Sequence, residues 1–179
     1  MDSSLAAIYL STLLAILVVV VILVFRQIRR TRSLETTISR LQPKLMGNKG
    51  TPQEYYELGA VYLDKRLYTQ ATALFQKALK AESEDYAPED YAPIYNALGF
   101  SYFNQEQYDL SIRQYKEALE RVPDYATALN NLAHAYEKKK LTVQALEAYE
   151  KVLKLEPNNE IARRRANSLR KQVAPSEVA

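Results

Sequence analysis

Residues 95–123 read YNALGFSYFNQEQYDLSIRQYKEALERVP, and this stretch decides the fold of the chain. Four of its residues recur 34 positions later as the same residue type: Leu98, Tyr102, Tyr115 and Pro123 return as Leu132, Tyr136, Tyr149 and Pro157. Other counterparts lie 40 residues earlier, at Leu58, Gly59, Tyr62, Phe75 and Ala78. A recurring pattern of small and large residues at a fixed period predicts a solenoid of stacked helical hairpins.

The pattern resembles the tetratricopeptide repeat (TPR), a hairpin of helices A and B with a period of 34 residues. Helix A carries an aromatic residue, Leu-Gly and Tyr, and helix B carries a small residue, an aromatic residue, Ala and a closing Pro. The three repeats supply Tyr55, Leu58, Gly59, Tyr62, Ala71, Phe75 and Ala78; Tyr95, Leu98, Gly99, Tyr102, Ser111, Tyr115, Ala118 and Pro123; and Leu129, Leu132, Ala133, Tyr136, Ala145, Tyr149, Val152 and Pro157. We expect the small residues to meet where helices A and B cross, and the aromatic residues to fill the gap to the next hairpin. The resemblance implies a protein that binds other proteins and rarely catalyses a reaction.

Start and stop signals predict the helix boundaries. Thr51-Pro52-Gln53-Glu54 is a capping box with proline at the first helical position. Proline lacks an N–H group and clashes inside a helix, so Pro123 and Pro157 follow helix ends. The predicted helices span about 52–64, 68–81, 93–104, 108–121, 125–138 and 142–155. A polar capping helix is predicted over about 160–172, preceded by Asn158 and Asn159, because an open-ended solenoid needs one.

Six extra residues separate the first two repeats. They lie in the segment 82–93, which reads ESEDYAPEDYAP and contains a duplicated Asp-Tyr-Ala-Pro. Five acidic residues fall in this insert: Glu82, Glu84, Asp85, Glu89 and Asp90. Two interpretations are open: a solvated loop that joins two helices, and an acidic surface that docks a basic partner.

The N-terminal segment has the composition of a membrane-spanning helix. Residues 3–25 contain no charged side chain, and about 20 apolar residues suffice to cross the hydrocarbon core. A cleaved secretory signal would carry positive charge before a shorter apolar run and a small-residue cleavage site after it. Here only Met1 and Asp2 precede the run. We therefore expect an uncleaved anchor.

Four arginines follow this predicted anchor: Arg26, Arg29, Arg30 and Arg32. By the positive-inside rule, they place the rest of the chain in the cytoplasm or stroma and the short N-terminus across the membrane. Arginines at this position also bind anionic lipid headgroups, so membrane lipids are expected partners at the membrane interface.

Two stripes along this helical region suit contacts with other helices. Small residues recur at a spacing of four in the anchor, at Ala7, Ser11 and Ala15, either to pack against another transmembrane helix or by chance. Beyond the arginines, apolar residues recur at helical spacing, at Leu34, Ile38, Leu41 and Leu45. We expect the membrane helix to continue as a stalk to about residue 42 and to end at Pro43, with this stripe as one side of a spacer or as a partner contact.

Residues 46–50, MGNKG, are expected to form a short flexible joint.

Together these features predict an all-α chain: an N-terminal single transmembrane helix and stalk, followed by a three-repeat TPR solenoid with a C-terminal capping helix. The expected parts are a transmembrane anchor (1–25), a basic juxtamembrane stalk and linker (26–50), three TPR repeats (51–157) and a capping helix with a frayed tail (158–179). The repeats themselves are expected at about 52–85, 92–125 and 126–159.

The composition argues against several kinds of function. The chain has 24 Lys and Arg against 21 Asp and Glu, and the juxtamembrane arginines account for the surplus, so the repeats lack the basic charge of a nucleic-acid binder. There is no cysteine, and the single histidine, His134, either ligates a pigment or metal or lies in the groove without such a role. The four glycines fall in the joint and at the helix crossings, which leaves no phosphate-binding loop. We expect a non-enzymatic protein with no cofactor, no metal site and no small-molecule substrate.

TPR arrays bind partners on the concave surface that the A helices line. Carried over by register, the predicted protein-binding groove consists of Gln53, Tyr56, Ala60, Leu63, Asn96, Phe100, Phe103, Asn104, Asn130 and His134. Chaperone-binding TPRs hold a C-terminal carboxylate with a clamp of Lys, Arg and Asn, and here those places carry Tyr56, Ala60, Phe100 and His134. The groove is instead aromatic and amide-rich, which suits an extended peptide or a helix with apolar anchors.

Nearly the whole chain resembles the family of membrane-anchored TPR proteins that assist photosystem I assembly in cyanobacteria and plastids. The resemblance is carried by RQIRRTRSLETTISRLQPKL (26–45), EYYELGAVYLDKRLYTQATALFQKALK (54–80), APIYNALGFSYFNQEQYDLSIRQYKEALE (92–120) and ALNNLAHAYEKKKLTVQALEAYE (128–150). It implies a thylakoid protein, with its N-terminus lumenal and its repeats cytoplasmic or stromal, that stabilises photosystem I subunits or assembly intermediates. The residues alone leave two alternatives open: a generic bacterial membrane scaffold in cofactor-attachment or secretion machinery, and a permanent small subunit of a membrane complex.

Overall fold

A computed structural model describes residues 2–47, 49–81 and 86–173, and for residues 2–6 and 30 it describes only the backbone. Within these ranges the chain is helical and contains no β-strand, which confirms the predicted all-α class. The α-helices are α1 (Asp2–Met46), α2 (Pro52–Asp64), α3 (Tyr68–Lys80), α4 (Ala92–Asn104), α5 (Tyr108–Arg121), α6 (Ala126–Lys138), α7 (Thr142–Leu155) and α8 (Glu160–Val173), and a 3-10 helix (Pro88–Tyr91) precedes α4. The chain divides into two compact units, Met1–Pro43 and Lys44–Ala179.

The first unit is formed by α1. Its side chains from Ala7 to Arg29 are exposed. In the described part of the chain, α1 is the one helix that has the length and the apolar composition to cross a membrane. The prediction that this helix ends at Pro43 is wrong, because α1 continues to Met46. Pro43 removes a single N–H donor, and only three helical residues follow it, so one backbone hydrogen bond is lost while the helix persists.

The second unit contains three helical hairpins, α2–α3, α4–α5 and α6–α7, and each helix packs against the next one along the chain. Such nearest-neighbour packing is the property that defines a solenoid. The observed boundaries agree with the predicted ones to within one residue. The capping box at α2 is also present, since the Glu54 amide donates to Thr51 Oγ1 at 3.3 Å and the Thr51 amide donates to Glu54 Oε2 at 3.1 Å.

Glycines at the helix crossings make room for aromatic rings. A Cβ atom on Gly59 would lie 2.6 Å from Phe75 Cε1, and one on Gly99 would lie 2.7 Å from Tyr115 Cε1. The aromatic residue of helix B therefore covers the glycine of its own hairpin, a contact that the sequence analysis did not foresee. Tyr115 is 1% exposed and also joins Leu132 and Ala135 of the third repeat in one apolar cluster, so it links two hairpins as expected.

The turn between helices A and B has the same geometry in all three hairpins. Its central residue has a left-handed backbone, with φ of 60°, 60° and 59° at Arg66, Glu106 and Lys140. The next residue donates its amide to a tyrosine carbonyl of helix A: Leu67 to Tyr62 at 2.8 Å, Gln107 to Tyr102 at 3.0 Å and Leu141 to Tyr136 at 2.9 Å. These are the hydrogen bonds of a Schellman motif, which satisfies the last carbonyls of a helix.

The final helix, α8, closes the solenoid as predicted. Asn159 Oδ1 accepts the Ala162 amide at 2.9 Å and so caps its N-terminus. Ala162, Ala166 and Leu169 form the buried stripe that packs onto α7, whereas Ile161 is 58% exposed. The frayed tail was predicted from Val173 onward, and residues 174–179 lie outside the described residues.

The last residue of the predicted flexible joint (46–50) contacts the first repeat. The Gly50 amide lies 3.4 Å from the Tyr55 hydroxyl, and a Cβ on Gly50 would lie 2.9 Å from the Tyr55 ring. Met46, at the start of the joint, is 75% exposed, and Asn48 lies outside the described residues. Just before the joint, Leu45 is buried and the side chain of Lys44 forms an ion pair with Glu54. The flexibility of the joint stays a prediction.

Candidate functional site

The A helices of the three hairpins line one face of the second unit, here termed the A-helix face. α2 contacts α4, and α4 contacts α6. All ten residues of the predicted groove belong to these three helices. The amide of Asn131 donates to Asn96 Oδ1 at 3.0 Å and so joins α6 to α4. Of these two residues, Asn96 belongs to the predicted groove, and Asn131 is a further residue that the structure places beside it.

The two phenylalanines of α4 differ: the Phe103 ring is packed against other rings, and Phe100 is exposed. The Phe103 ring lies 4.7 Å from the His134 ring and meets the Tyr108 ring edge-on at 5.4 Å. Such contacts hold the Phe103 ring in a fixed position. Phe100, by contrast, is 39% exposed, so its ring is available to a partner. Asn104 donates its amide to the Phe100 carbonyl at 2.8 Å, which engages that side chain on its own helix.

His134 is held in its neutral form. Burial lowers the pKa of His134, and the nearby Arg165 and Lys138 lower it further, while Glu137 opposes them. Its ring lies against the Phe103 ring at an interplanar angle of 41°. Among the residues that the structure describes, no group of three His, Cys, Asp or Glu side chains is placed to hold a metal ion.

Three other predicted groove residues lie partly buried along the A helices. Ala60 and Leu63 lie on α2 with intermediate exposure. Asn130, on α6, has a buried Oδ1 atom with no hydrogen-bond partner among the described residues.

A cavity of about 370 Å³ opens beside Tyr56, and it includes residues that the sequence analysis did not assign to the groove. Its lining residues are Gln53, Tyr56, Tyr86, Glu89, Asp90, Pro93 and Ile94. The Tyr86 hydroxyl donates to Gln53 Oε1 at 2.8 Å, which brings the insert against α2. The Tyr56 ring lies 5.8 Å from the Phe75 ring. The first part of the insert, residues 82–85, lies outside the described residues. The duplicated Asp-Tyr-Ala-Pro was the sequence signal for this region.

The predicted membrane-facing residues lie on α1. Arg26, Arg29 and Arg32 are exposed, and the Arg29 guanidinium carbon lies 5.7 Å from the centre of the Phe25 ring. The side chain of Arg30 is outside the described residues. The predicted small-residue stripe is also exposed, at Ala7, Ser11 and Ala15. The Ser11 hydroxyl donates to the Ile8 carbonyl at 2.9 Å, so this polar group is satisfied within its own helix.

The stacked hairpins and the A-helix face define the class of this protein: it is a TPR solenoid, a scaffold for binding other proteins. The tetratricopeptide repeat family model matches residues 54–124 and 90–157. A crystal structure of MamA superposes with a TM-score of 0.72 at 21% identity, covering 80% of this chain and 81% of that one, which supports the fold.

Two relatives identify the family. The chloroplastic tetratricopeptide repeat domain-containing protein PYG7 of Arabidopsis thaliana is 39% identical over 92% of this chain. The chain spans about half of that relative, 54% of its length. The ycf37 protein of Cyanophora paradoxa is 36% identical over 92% of this chain and 95% of its own length. The chain belongs to the Ycf37/PYG7 family of TPR proteins.

Proposed function

We propose that this chain is a membrane-tethered, non-enzymatic TPR scaffold that acts as an assembly or stability factor for photosystem I. The proposal rests on one observation. This chain, a member of the Ycf37/PYG7 family, combines an apolar helix long enough to cross a membrane with a protein-binding face. The resemblance to photosystem I assembly proteins includes residues 26–45, which lie outside the repeats. One relative is a chloroplastic protein, which supports a photosynthetic compartment.

The apolar part of α1 serves as a single-pass thylakoid anchor in this proposal. Arg26, Arg29, Arg30 and Arg32 hold its cytoplasmic or stromal end at the anionic headgroups, and the N-terminus lies in the lumen. Ala7, Ser11 and Ala15 allow close packing against a client helix. An anchored scaffold meets newly inserted membrane subunits by lateral diffusion.

The client binds the A-helix face. Phe100 is the exposed aromatic anchor, and the amides of Asn96 and Asn131 lie beside one another between α4 and α6. Buried aromatic residues dominate the free energy of protein interfaces, and amides pair with the backbone of an extended segment. The repeats, which we assign to residues 51–157, therefore hold a photosystem I subunit or assembly intermediate through protein contacts, without a cofactor.

Deletion of the gene in its host tests this proposal. We expect the ratio of photosystem I to photosystem II to fall, measured spectroscopically under ordinary and stressed growth. We also expect only a minority of the protein to co-migrate with mature photosystem I on native gels. An unchanged ratio in every condition would favour a generic membrane scaffold. Stoichiometric co-migration would favour a permanent subunit.

A further inference from the structure

The insert between the first two repeats adds a wall to the A-helix face that the TPR pattern does not supply. Tyr86 and the 3-10 helix of the insert lie opposite Gln53 and Tyr56 of α2, and together with the start of α4 they enclose the 370 Å³ cavity. Its volume lies near the lower end of the range for ligand pockets, about 300–1,000 Å³, and is large enough for a single long side chain.

Two walls of the cavity are fixed before anything binds. The Tyr86 hydroxyl is hydrogen-bonded to Gln53, and its ring meets the Tyr91 ring at 5.0 Å and 72°. Asp90 Oδ2 accepts the Ala87 amide at 2.9 Å, which holds its carboxylate at the start of the 3-10 helix. A site that is ordered in advance loses less conformational entropy when a ligand binds.

The chemistry of the lining suits a cation. Among the described residues that line the cavity there are two tyrosine rings and two carboxylates, Glu89 and Asp90, and there is no Lys or Arg. Burial raises the pKa of Tyr56 and of Tyr86, so both phenols stay neutral near pH 7. Neutral aromatic faces attract cations, and the carboxylates add direct charge complementarity.

We propose that this insert cavity binds an arginine side chain of the client protein. The planar guanidinium can stack on a tyrosine ring and donate to a carboxylate at the same time, which a lysine ammonium cannot match. The chain makes such a contact internally. The Arg121 guanidinium carbon lies 4.1 Å from the centre of the Tyr95 ring, and its Nη2 donates to the Tyr95 hydroxyl at 3.1 Å. The inference rests on the proposed function only in naming a client protein as the source of the arginine.

The test uses the full-length chain in a non-ionic detergent and two synthetic peptides, acetyl-Gly-Ala-Arg-Ala-Gly-amide and the same peptide with citrulline in place of arginine. Citrulline keeps the shape of arginine and removes its charge. Ligand-observed NMR titration measures both dissociation constants. We expect the arginine peptide to bind about tenfold more tightly than the citrulline peptide.

Matched variants locate the site. The double variant Glu89→Gln, Asp90→Asn keeps an oxygen to accept the Ala87 amide, and it should reduce the affinity for the arginine peptide to that for the citrulline peptide. The control variant Asp124→Asn, Glu160→Gln removes the same charge from exposed positions outside the cavity and should leave both affinities unchanged. Circular dichroism confirms that each variant is folded.

Three results would overturn the inference: equal affinity of the wild-type chain for the two peptides, an equal loss in the control variant, or no binding at millimolar peptide. The readout is independent of photosystem levels. The cavity can therefore fail this test while the deletion phenotype holds, and the reverse can also occur.

Discussion

Substitution of Gly99 by alanine tests the crossing of α4 and α5, where Gly99 lies against the Tyr115 ring. A Cβ atom at this position would lie 2.7 Å and 2.8 Å from two carbons of the Tyr115 ring and 3.2 Å from the Ser111 carbonyl oxygen. The ring cannot move aside easily, because Tyr115 is 1% exposed and packs against Leu132 of the next hairpin. The Ser111 oxygen belongs to the backbone of α5, which is equally constrained.

Two opposing effects set the size of the change in stability. Overpacking of a filled core typically costs about 1–3 kcal/mol. Replacing glycine by alanine inside a helix stabilises it by about 1 kcal/mol. Because three atoms lie within 3.2 Å of the added Cβ, we expect an overpacking cost in the upper part of that range, about 2–3 kcal/mol. After the helical gain, Gly99→Ala should lower the free energy of unfolding by about 1–2 kcal/mol, which corresponds to a fall in Tm of roughly 3–8 °C for a domain of this size. Gly99→Leu should have a larger effect.

Thermal unfolding is followed by circular dichroism at 222 nm on the full-length chain in detergent. Gly47→Ala is the matched control, since among the described residues a Cβ there would meet only the Lys44 carbonyl oxygen, at 3.8 Å. We expect its Tm to stay within about 1 °C of the wild-type value, the usual result for a surface change. Hydrogen exchange should show reduced protection in α6 of Gly99→Ala, because damage in a solenoid reaches the neighbouring repeat.

A Gly99→Ala protein as stable as the wild type would refute the reasoning. It would mean that Tyr115 has freedom to move, and that the crossing of α4 and α5 is looser than the structure indicates. Loss of stability without any change in α6 would show that the two repeats unfold independently.

Three further predictions concern the A-helix face and α1. Phe100→Ala should leave Tm nearly unchanged, because the ring is 39% exposed, and should abolish co-purification of the client; full retention of the client would place binding elsewhere. The pKa of His134 is lowered by burial, so the unfolded chain binds more protons and stability falls as pH drops through about 6.5. His134→Gln should therefore lose less Tm than the wild type between pH 7.5 and 5.5, and parallel losses would contradict this. Protease added to thylakoids with the stromal face outward should digest the repeats, whereas protection of residues 55–172 would reverse the proposed topology.

The helices were predictable because their signals are local. The capping box at Thr51 and the prolines after α5 and α7 act within a few residues, and the observed boundaries follow them. The 34-residue period then repeats the same local pattern from hairpin to hairpin. The end of α1 was predicted wrongly, because the proline rule describes the interior of a helix and Pro43 lies within its last turn.

The candidate site was only partly predictable. Register places Gln53, Tyr56 and Asn96 on the A helices, and that much follows from the period. The insert has no counterpart in the 34-residue repeat, and the position of Tyr86 depends on a hydrogen bond to a residue 33 positions earlier in the chain. Register also cannot show which of two adjacent asparagines bridges the helices: Asn131 bonds to Asn96, whereas the Oδ1 atom of the predicted Asn130 is unpaired among the described residues.

Substitutions in the three hairpin turns would give a more stable form of this protein for imaging. Arg66, Glu106 and Lys140 have left-handed backbones that glycine adopts without steric penalty, and none of them belongs to the predicted groove. Glycine at each turn would raise stability by about 0.5–1 kcal/mol, and because the turns belong to different hairpins the gains should sum. A triple variant of this kind could survive detergent extraction with its client attached, and would suit cryo-electron microscopy of the captured intermediate.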